Sequence, residues 1–228
     1  MMAGHLTKRT PRIVGVIASG GDLEHAVRMR KPPDLFELRL DRLAGMVNEV
    51  EKVLPRLRTP LIITARDPRE GGANKLPLRQ RRDLLRRFLH HAAYIDVELR
   101  SARALQSLLK LAEDKKVRRI ISFHDFKSTP RTRVLETKAH NAKAVRADIF
   151  KVATRTDTPM ELGRLIAFMT SRRWNVSLAV MGIGELGAIS RVLLARAGSA
   201  LIYAPMAAAT DIEGQLSLEE LRALGFGG

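Results

Sequence analysis

The chain has 228 residues, no cysteine, 45% hydrophobic residues and a formal net charge of +16. That length fits one large domain or two small ones and supplies a sizeable core. The composition excludes a disulfide framework and a thiolate metal site, and no apolar run approaches the ~18 residues of a membrane span.

The N-terminal segment 1–11 is polar and basic with no apolar stretch. It reads as an extension before the folded domain rather than a signal peptide, which together with the missing cysteines points to the cytoplasm. Lys and Arg number 40 against 24 Asp and Glu. The basic residues are dispersed, as in Arg79-Gln-Arg-Arg82, Lys115-Lys116, Arg118-Arg119 and Arg172-Arg173. Aromatic residues are only 4% with one Trp, a poor supply for stacking on single strands. An arginine-rich, ion-paired surface is therefore favoured over a specific nucleic-acid partner.

Arg12–Ala18 is the first apolar run, and it ends at Ser19-Gly20-Gly21. Asp22 is placed to cap a helix through about Arg30. Leu35–Asp41 is a second strand, in which Glu37, Arg39 and Asp41 alternate with Leu38 and Leu40 and so share a face. Helix is expected over Met46–Leu57, strand over Pro60–Asp67, and a loop at Pro68–Gly72. Pro77–Ala93 has an amphipathic helical pattern. Tyr94–Leu99 is a fourth strand with Asp96 and Glu98 facing one way, and Ser101 is placed to cap a helix to about Asp114. Strand Arg119–Phe126, helix Thr132–Arg146, strand Asp148–Thr154 and helix Pro159–Arg172 follow. Strand Asn175–Met181, helix Glu185–Ala197, strand Ser199–Ala204 and helix Ser217–Leu224 complete the chain.

Strand and helix alternate throughout, which implies a parallel sheet. Eight such units in this length fit a single-domain (β/α)8 barrel spanning 12–228. A doubly wound sheet would need a glycine-rich phosphate turn after the first strand, and Ser19-Gly-Gly21 does not match one.

In a barrel, inward polar residues near the C-terminal strand ends line the active site. Glu37 and Arg39 end the second strand and Arg66 the third. Asp96 and Glu98 lie on the fourth, His124 on the fifth and Lys151 on the sixth. A lone lysine in a strand more often snorkels to solvent. In polar company on an apolar strand, Lys151 instead reads as an amine that attacks a carbonyl to form a Schiff base. Arg39 and Arg66 are expected as cationic neighbours that keep that amine unprotonated and can bind a carboxylate. His124 is the natural proton carrier, and Glu70 is placed to orient it. His90 and His91 read as surface or interface residues, and no spacing makes a convincing metal site. These features leave open a class I aldolase acting on another keto substrate. The charge leaves open a basic nucleic-acid binder.

A set of short motifs narrows this. They are Glu37-Leu-Arg39-Leu-Asp41, Arg66 with Glu70-Gly71-Gly72, Asp96-Val-Glu98, Ser122-Phe-His124-Asp-Phe126 and Asp148-Ile-Phe-Lys151. Met181-Gly182 through Ser190-Arg191, then Gly198-Ser199 and Gly214-Gln215, follow in order. In order and spacing the chain resembles the type I 3-dehydroquinate dehydratases, the Schiff-base class of the shikimate pathway. The resemblance implies a lyase in which Lys151 forms an imine with the 3-keto group of 3-dehydroquinate and His124, paired with Glu70, moves the protons. It implies that Glu37, Arg39 and Arg66 meet substrate hydroxyls, that Arg191 holds the substrate carboxylate, and that Gln215 comes from a closing loop. It implies no metal or nucleotide cofactor, a small-molecule substrate and a homodimer. Two departures stand out. The usual Ser/Thr-Ala-Pro-Gly-Gln lid is here Asp211-Ile-Glu-Gly214-Gln215, so Asp211 is not assigned a substrate contact. Ile183 replaces a common methionine.

Overall fold

The computed structural model describes residues 10–171, 175–206 and 213–227. Asp211, Arg172, Arg173 and nearly all of the basic N-terminal segment lie outside them. Eight parallel strands form one sheet. They are β1 Arg12–Ile17, β2 Leu35–Arg39, β3 Leu61–Thr64, β4 Ala92–Glu98, β5 Arg118–Asp125, β6 Ile149–Arg155, β7 Ser177–Ile183 and β8 Leu201–Pro205. Each pairs with its sequence neighbour from β1 to β7, and β1 also pairs with β8. At the β7–β8 seam the Ala200 N–H donates to the Leu178 carbonyl at 2.7 Å. There the Ser199 hydroxyl accepts from the Val180 N–H at 3.0 Å and donates to the Leu201 carbonyl at 3.0 Å. The fold is a (β/α)8 barrel.

The period of two along each strand sorts side chains between two cores. Phe36, Leu38, Ile63, Ile95, Val97, Ile121, Phe150, Val152, Leu178 and Val180 face outward into the helix layer. Leu35, Ile62, Tyr94, Ile120, Ile149, Ala179, Met181 and Tyr203 fill the barrel. Lys151 lies between Ile149 and Ala153 on the inward face of β6, level with Ser122 on β5 and Ala179 on β7.

The helices are α1 Gly20–Arg28, α2 Val47–Val53, α3 Leu78–Phe88, α4 Leu99–Ala102, α5 Gln106–Asp114, α6 Thr132–Ala144, α7 Pro159–Thr170, α8 Gly187–Arg196 and α9 Leu218–Ala223. Several boundaries differ from the sequence reading. Ser19, not Asp22, is the N-cap of α1, and Asp22 answers it by accepting from the Ala18 N–H at 3.0 Å. Ala92 and Ala93 open β4 rather than end a helix. Ser101 lies inside the short α4, and a second helix starts at Gln106. At Ala92 the pairing with Leu61 of β3 overrides weak local preference, and the Ser101 hydroxyl accepts from Arg81 at 3.3 Å instead of capping a helix. Thr158 with Glu161 and Ser217 with Glu220 form reciprocal caps on α7 and α9.

Candidate active site

The C-terminal ends of the strands surround a cavity of about 420 Å³. Glu37, Arg39, Arg66, Glu70, His124, Lys151, Arg191 and Gln215 line it. Asp96 and Glu98, also expected at this mouth, are buried and do not reach the cavity surface, because they are turned onto Arg66.

Lys151 is 4% exposed. Its Nζ lies 3.1 Å from Asp96 Oδ2 and 3.5 Å from Glu37 Oε1. The ring of Tyr203 is 4.1 Å away, within cation–π range. The immediate partners of the amine are thus two carboxylates and an aromatic face, not the arginines expected from the sequence. The reason is that a buried guanidinium needs its own acids. Arg66 donates to both oxygens of Asp96 at 3.0 and 2.9 Å, to Glu98 at 3.1 Å and to the Ser122 hydroxyl at 2.6 Å. Arg39 is held bidentately by Asp41 at 2.9 and 2.8 Å and donates to the Gly71 carbonyl at 3.2 Å. Asp41 also accepts from the backbone N–H groups of Arg66 and Ala73 at 3.2 and 3.0 Å. Arg39 at the end of β2 and Asp41 just beyond it therefore fasten the loop that carries Glu70.

That loop runs as a 3₁₀ turn over Pro68–Glu70 and reverses at Gly71, whose φ is +83°. A Cβ on Gly72 would lie 2.1 Å from the Arg66 carbonyl oxygen, so only glycine closes the turn. The turn delivers Glu70 to β5. One oxygen of Glu70 accepts from the His124 backbone N–H at 2.9 Å and lies 3.1 Å from His124 Nδ1. Burial raises the Glu70 carboxyl to about 7, and the nearby Glu98 charge adds to the rise against the pull of Arg66. Burial, with Arg66 and Lys151 nearby, pushes His124 well below the usual histidine range. A neutral imidazole against an ionised Glu70 keeps its proton on Nδ1 and leaves Nε2 as a base.

Arg191 projects from α8 on the opposite side. It is 3% exposed. Its Nε donates to the Gly214 carbonyl at 3.2 Å, and no carboxylate among the described residues pairs with it. Burial lowers its pKa to about 10, which still leaves it charged at neutral pH. A buried guanidinium with no acid partner among the described residues can receive an anion. The glycines of the 182–187 segment make this approach possible. A Cβ on Gly187 would stand 2.9 Å from the Gly214 Cα, and one on Gly182 would stand 2.5 Å from the Ser190 hydroxyl.

Asp96 and Tyr203, central to this geometry, carried no assigned role in the sequence reading, and neither did Arg81, which lies behind the site on Glu98 and Asp67. Asp96 was legible as an inward charge on β4. Tyr203 looked like one more apolar strand residue. Arg81 looked like part of a solvent-facing arginine run.

Residues 20–225 match the family model for type I 3-dehydroquinase. The chain is 31% identical over 214 residues to a 3-dehydroquinate dehydratase of Thermococcus gammatolerans, covering 93% of this chain and 96% of that one. It is 30% identical over 194 residues to that of Methanococcus vannielii, covering 84% and 86%. The crystal structure of 3-dehydroquinate dehydratase from Geobacillus kaustophilus superposes with a TM-score of 0.83 at 27% identity, covering 94% of this chain and 89% of that one. A deoxyribose phosphate aldolase from Aeropyrum pernix, at 18% identity and a TM-score of 0.56, shares the fold alone. With the barrel, the buried strand lysine and the family match in agreement, the chain belongs to the type I 3-dehydroquinase family.

Proposed function

We propose that the cavity dehydrates 3-dehydroquinate to 3-dehydroshikimate, with Lys151 as nucleophile, His124 as proton carrier and Glu70 as its orienting partner. The observation that carries this reading is the convergence of Lys151, the His124–Glu70 pair and Arg191 on one cavity. Lys151 Nζ adds to the 3-keto carbon, and loss of water leaves an imine linking C3 to Nζ. His124 Nε2 takes a proton from C2, and the electron pair moves into the iminium. The pair then returns to expel the C1 hydroxyl, which leaves as water with the proton that His124 delivers. Hydrolysis of the imine frees the product and Lys151. Glu37, Arg39 and Arg66 meet the substrate hydroxyls, and Arg66 does so while holding the acids beneath Lys151. Arg191 takes the substrate carboxylate, and Gln215 covers it from the loop after β8. The nearness of Asp96 and Glu37 to Nζ supports a further role for both, balancing the positive charge of the iminium. The electron sink is the imine itself, so the proposed route needs no metal or nucleotide.

We place the enzyme in the cytoplasm, as the lack of cysteine in the whole chain favours. We treat segment 1–11 as taking no part in the chemistry. We expect a homodimer on the strength of family membership. No helix among the described residues is long and apolar enough to cross a membrane.

Borohydride trapping tests the reading. The protein is mixed with 3-dehydroquinate and reduced, and the intact mass and modified peptide are read. A stable adduct on Lys151, with ultraviolet absorption of the enone before reduction, is the expected result. A folded protein that yields no adduct rules the reading out.

Arg191→Met is expected to raise KM on the order of 100-fold with a much smaller change in kcat, because it removes one side of a desolvated charge pair. An unchanged KM in steady-state assays would remove Arg191 from the binding role.

Glu70 sets the expected pH dependence. Catalysis needs its carboxylate form to hold Nδ1–H, so kcat should rise with pH through about 7. Stability runs the other way. The folded-state pKa is raised, so the stabilising preference for the protonated acid is complete below the ordinary value of 4.5 and is lost as pH rises through about 7. Glu70→Gln mimics the protonated form. At pH 8 it should gain up to about 3 kcal/mol over the native protein, less whatever the altered His124 contact costs. Denaturant melts at pH 5 and pH 8 measure this, and a gain that is the same at both would show that Glu70 is not the titrating group.

A further inference from the structure

Arg81 is 2% exposed and is the largest of the fully buried side chains among the described residues, although it belongs to α3 in the helix layer and does not line the cavity. Its Nη1 donates to Glu98 Oε2 at 2.9 Å, and its Nη2 donates to Asp67 Oδ2 at 2.8 Å and to the Ser101 hydroxyl at 3.3 Å. From there buried charges alternate inward. The other oxygen of Glu98 accepts from Arg66 at 3.1 Å and from the Asp67 backbone N–H at 2.9 Å. Arg66 forks onto both oxygens of Asp96, and Asp96 Oδ2 accepts from Lys151 Nζ at 3.1 Å. Each side chain on this path is at most 5% exposed.

We propose that Arg81 is a positioning residue that sets, through Glu98, Arg66 and Asp96, where the Lys151 amine stands. This inference rests on the reading of Lys151 as the nucleophile. Its physical basis is the sharing of carboxylates. Arg81 occupies the outer oxygen of Glu98, so Arg66 can reach only the inner one. The remaining donors of Arg66 then lie in one plane on Asp96, the geometry in which a guanidinium grips a carboxylate most firmly. With both oxygens gripped by Arg66 and Oδ2 shared with Lys151, Asp96 holds the amine at a defined height under the cavity.

Without Arg81, the outer oxygen of Glu98 is stranded in a dry site, which is costly. Glu98 then turns both oxygens onto Arg66. Arg66 loosens from Asp96, and Asp96 closes on Lys151 and draws Nζ down, away from the substrate carbonyl. Asp67 keeps a cation in either case, because Arg69 also donates to it at 3.0 Å. Arg191, Glu70, His124 and Gln215 on the cavity wall are off this path, so binding of a ligand held by its carboxylate is spared.

The test compares the native chain with Arg81→Met and with Arg81→Met combined with Glu98→Gln, which removes the stranded charge. Imine formation is timed by borohydride trapping with 3-dehydroquinate. Binding is measured separately with quinate, which keeps the carboxylate and hydroxyls but has no ketone. Arg81→Met is expected to trap roughly 10- to 100-fold more slowly with quinate affinity nearly unchanged, the scale of a displaced reacting group. The double variant is expected to recover most of the rate. A native trapping rate in folded Arg81→Met overturns the inference, and so does a double variant no faster than the single one. If Arg81→Met does not fold, Arg81→Lys carries the test. A single ammonium cannot hold both Glu98 and Asp67, so slower trapping at unchanged quinate affinity is expected, and a native rate overturns the inference. A native chain that gives no Lys151 adduct overturns the nucleophile reading and this inference with it. Native trapping beside an indifferent Arg81→Met overturns this inference alone.

Discussion

Lys151→Met is expected to reduce turnover of 3-dehydroquinate on the order of 10⁶-fold and to abolish the borohydride-trapped adduct. The substitution keeps an unbranched chain of similar length on the inward face of β6, between Ile149 and Ala153. It removes the one lysine amine that lines the cavity among the described residues, the proposed imine former. His124, Glu70 and Arg191 are left in position, so quinate should still bind. The acids that faced Nζ are not stranded. Asp96 keeps Arg66 at 2.9 Å and the Ser122 hydroxyl at 2.6 Å, and Glu37 keeps the Thr64 hydroxyl at 2.7 Å. The variant should therefore fold, and a Met side chain among Ile149, Ala153 and Met181 costs little packing. Circular dichroism and quinate titration establish the intact site, and intact mass after reduction reads the chemistry. An adduct persisting on another lysine, or turnover within a few fold of native, would take the nucleophile role from Lys151.

The barrel and the list of inward charges were readable from the sequence because both follow from short-range period. Alternation by two along Leu35–Arg39 and Ala92–Glu98 turns Glu37, Asp96 and Glu98 to one side, whatever the rest of the chain does. The pairing among those charges was not readable. Lys151 and Glu37 are 114 positions apart, and Arg66 and Ser122 are 56 apart. No local pattern states that Arg66 spends its donors on Asp96 and Glu98, so arginines were expected beside the amine where carboxylates stand. Arg81 shows a signal that was present but unread. It falls on the same helical stripe as Leu85 and Phe88, four and seven positions on, and both are buried. An arginine on the apolar stripe of a surface helix marks a buried partner, here two carboxylates. The excess of arginine gains part of its meaning from the same observation. Arg39, Arg66, Arg81, Arg87, Arg119 and Arg155 all hold acids in ion pairs. The remaining positive charge is dispersed over the surface, with few aromatic rings to accompany it.

His124→Ala separates the two halves of the reaction. On the proposed route imine formation belongs to Lys151, whereas proton transfer at C2 and departure of the C1 hydroxyl belong to the imidazole. The variant should accept 3-dehydroquinate, form the imine and stall. Turnover is expected to fall on the order of 10³- to 10⁴-fold, the usual worth of a positioned general base. The species trapped by borohydride should carry the mass of the substrate adduct, with the water not yet lost. Geometry favours a clean result. The Glu70 contact to the backbone N–H of residue 124, 2.9 Å long, does not depend on the ring, so the loop carrying Glu70 stays in place. Glu70→Gln should do less harm at neutral pH, because the imidazole remains and only its orientation and tautomer are disturbed. It should also lack the rise of kcat through about pH 7 that is expected of the native carboxyl. Complete loss of the trapped imine in folded His124→Ala would place the histidine in imine formation instead. A product-mass adduct in that variant would mean that another group, reached from the same cavity, removes the C2 proton.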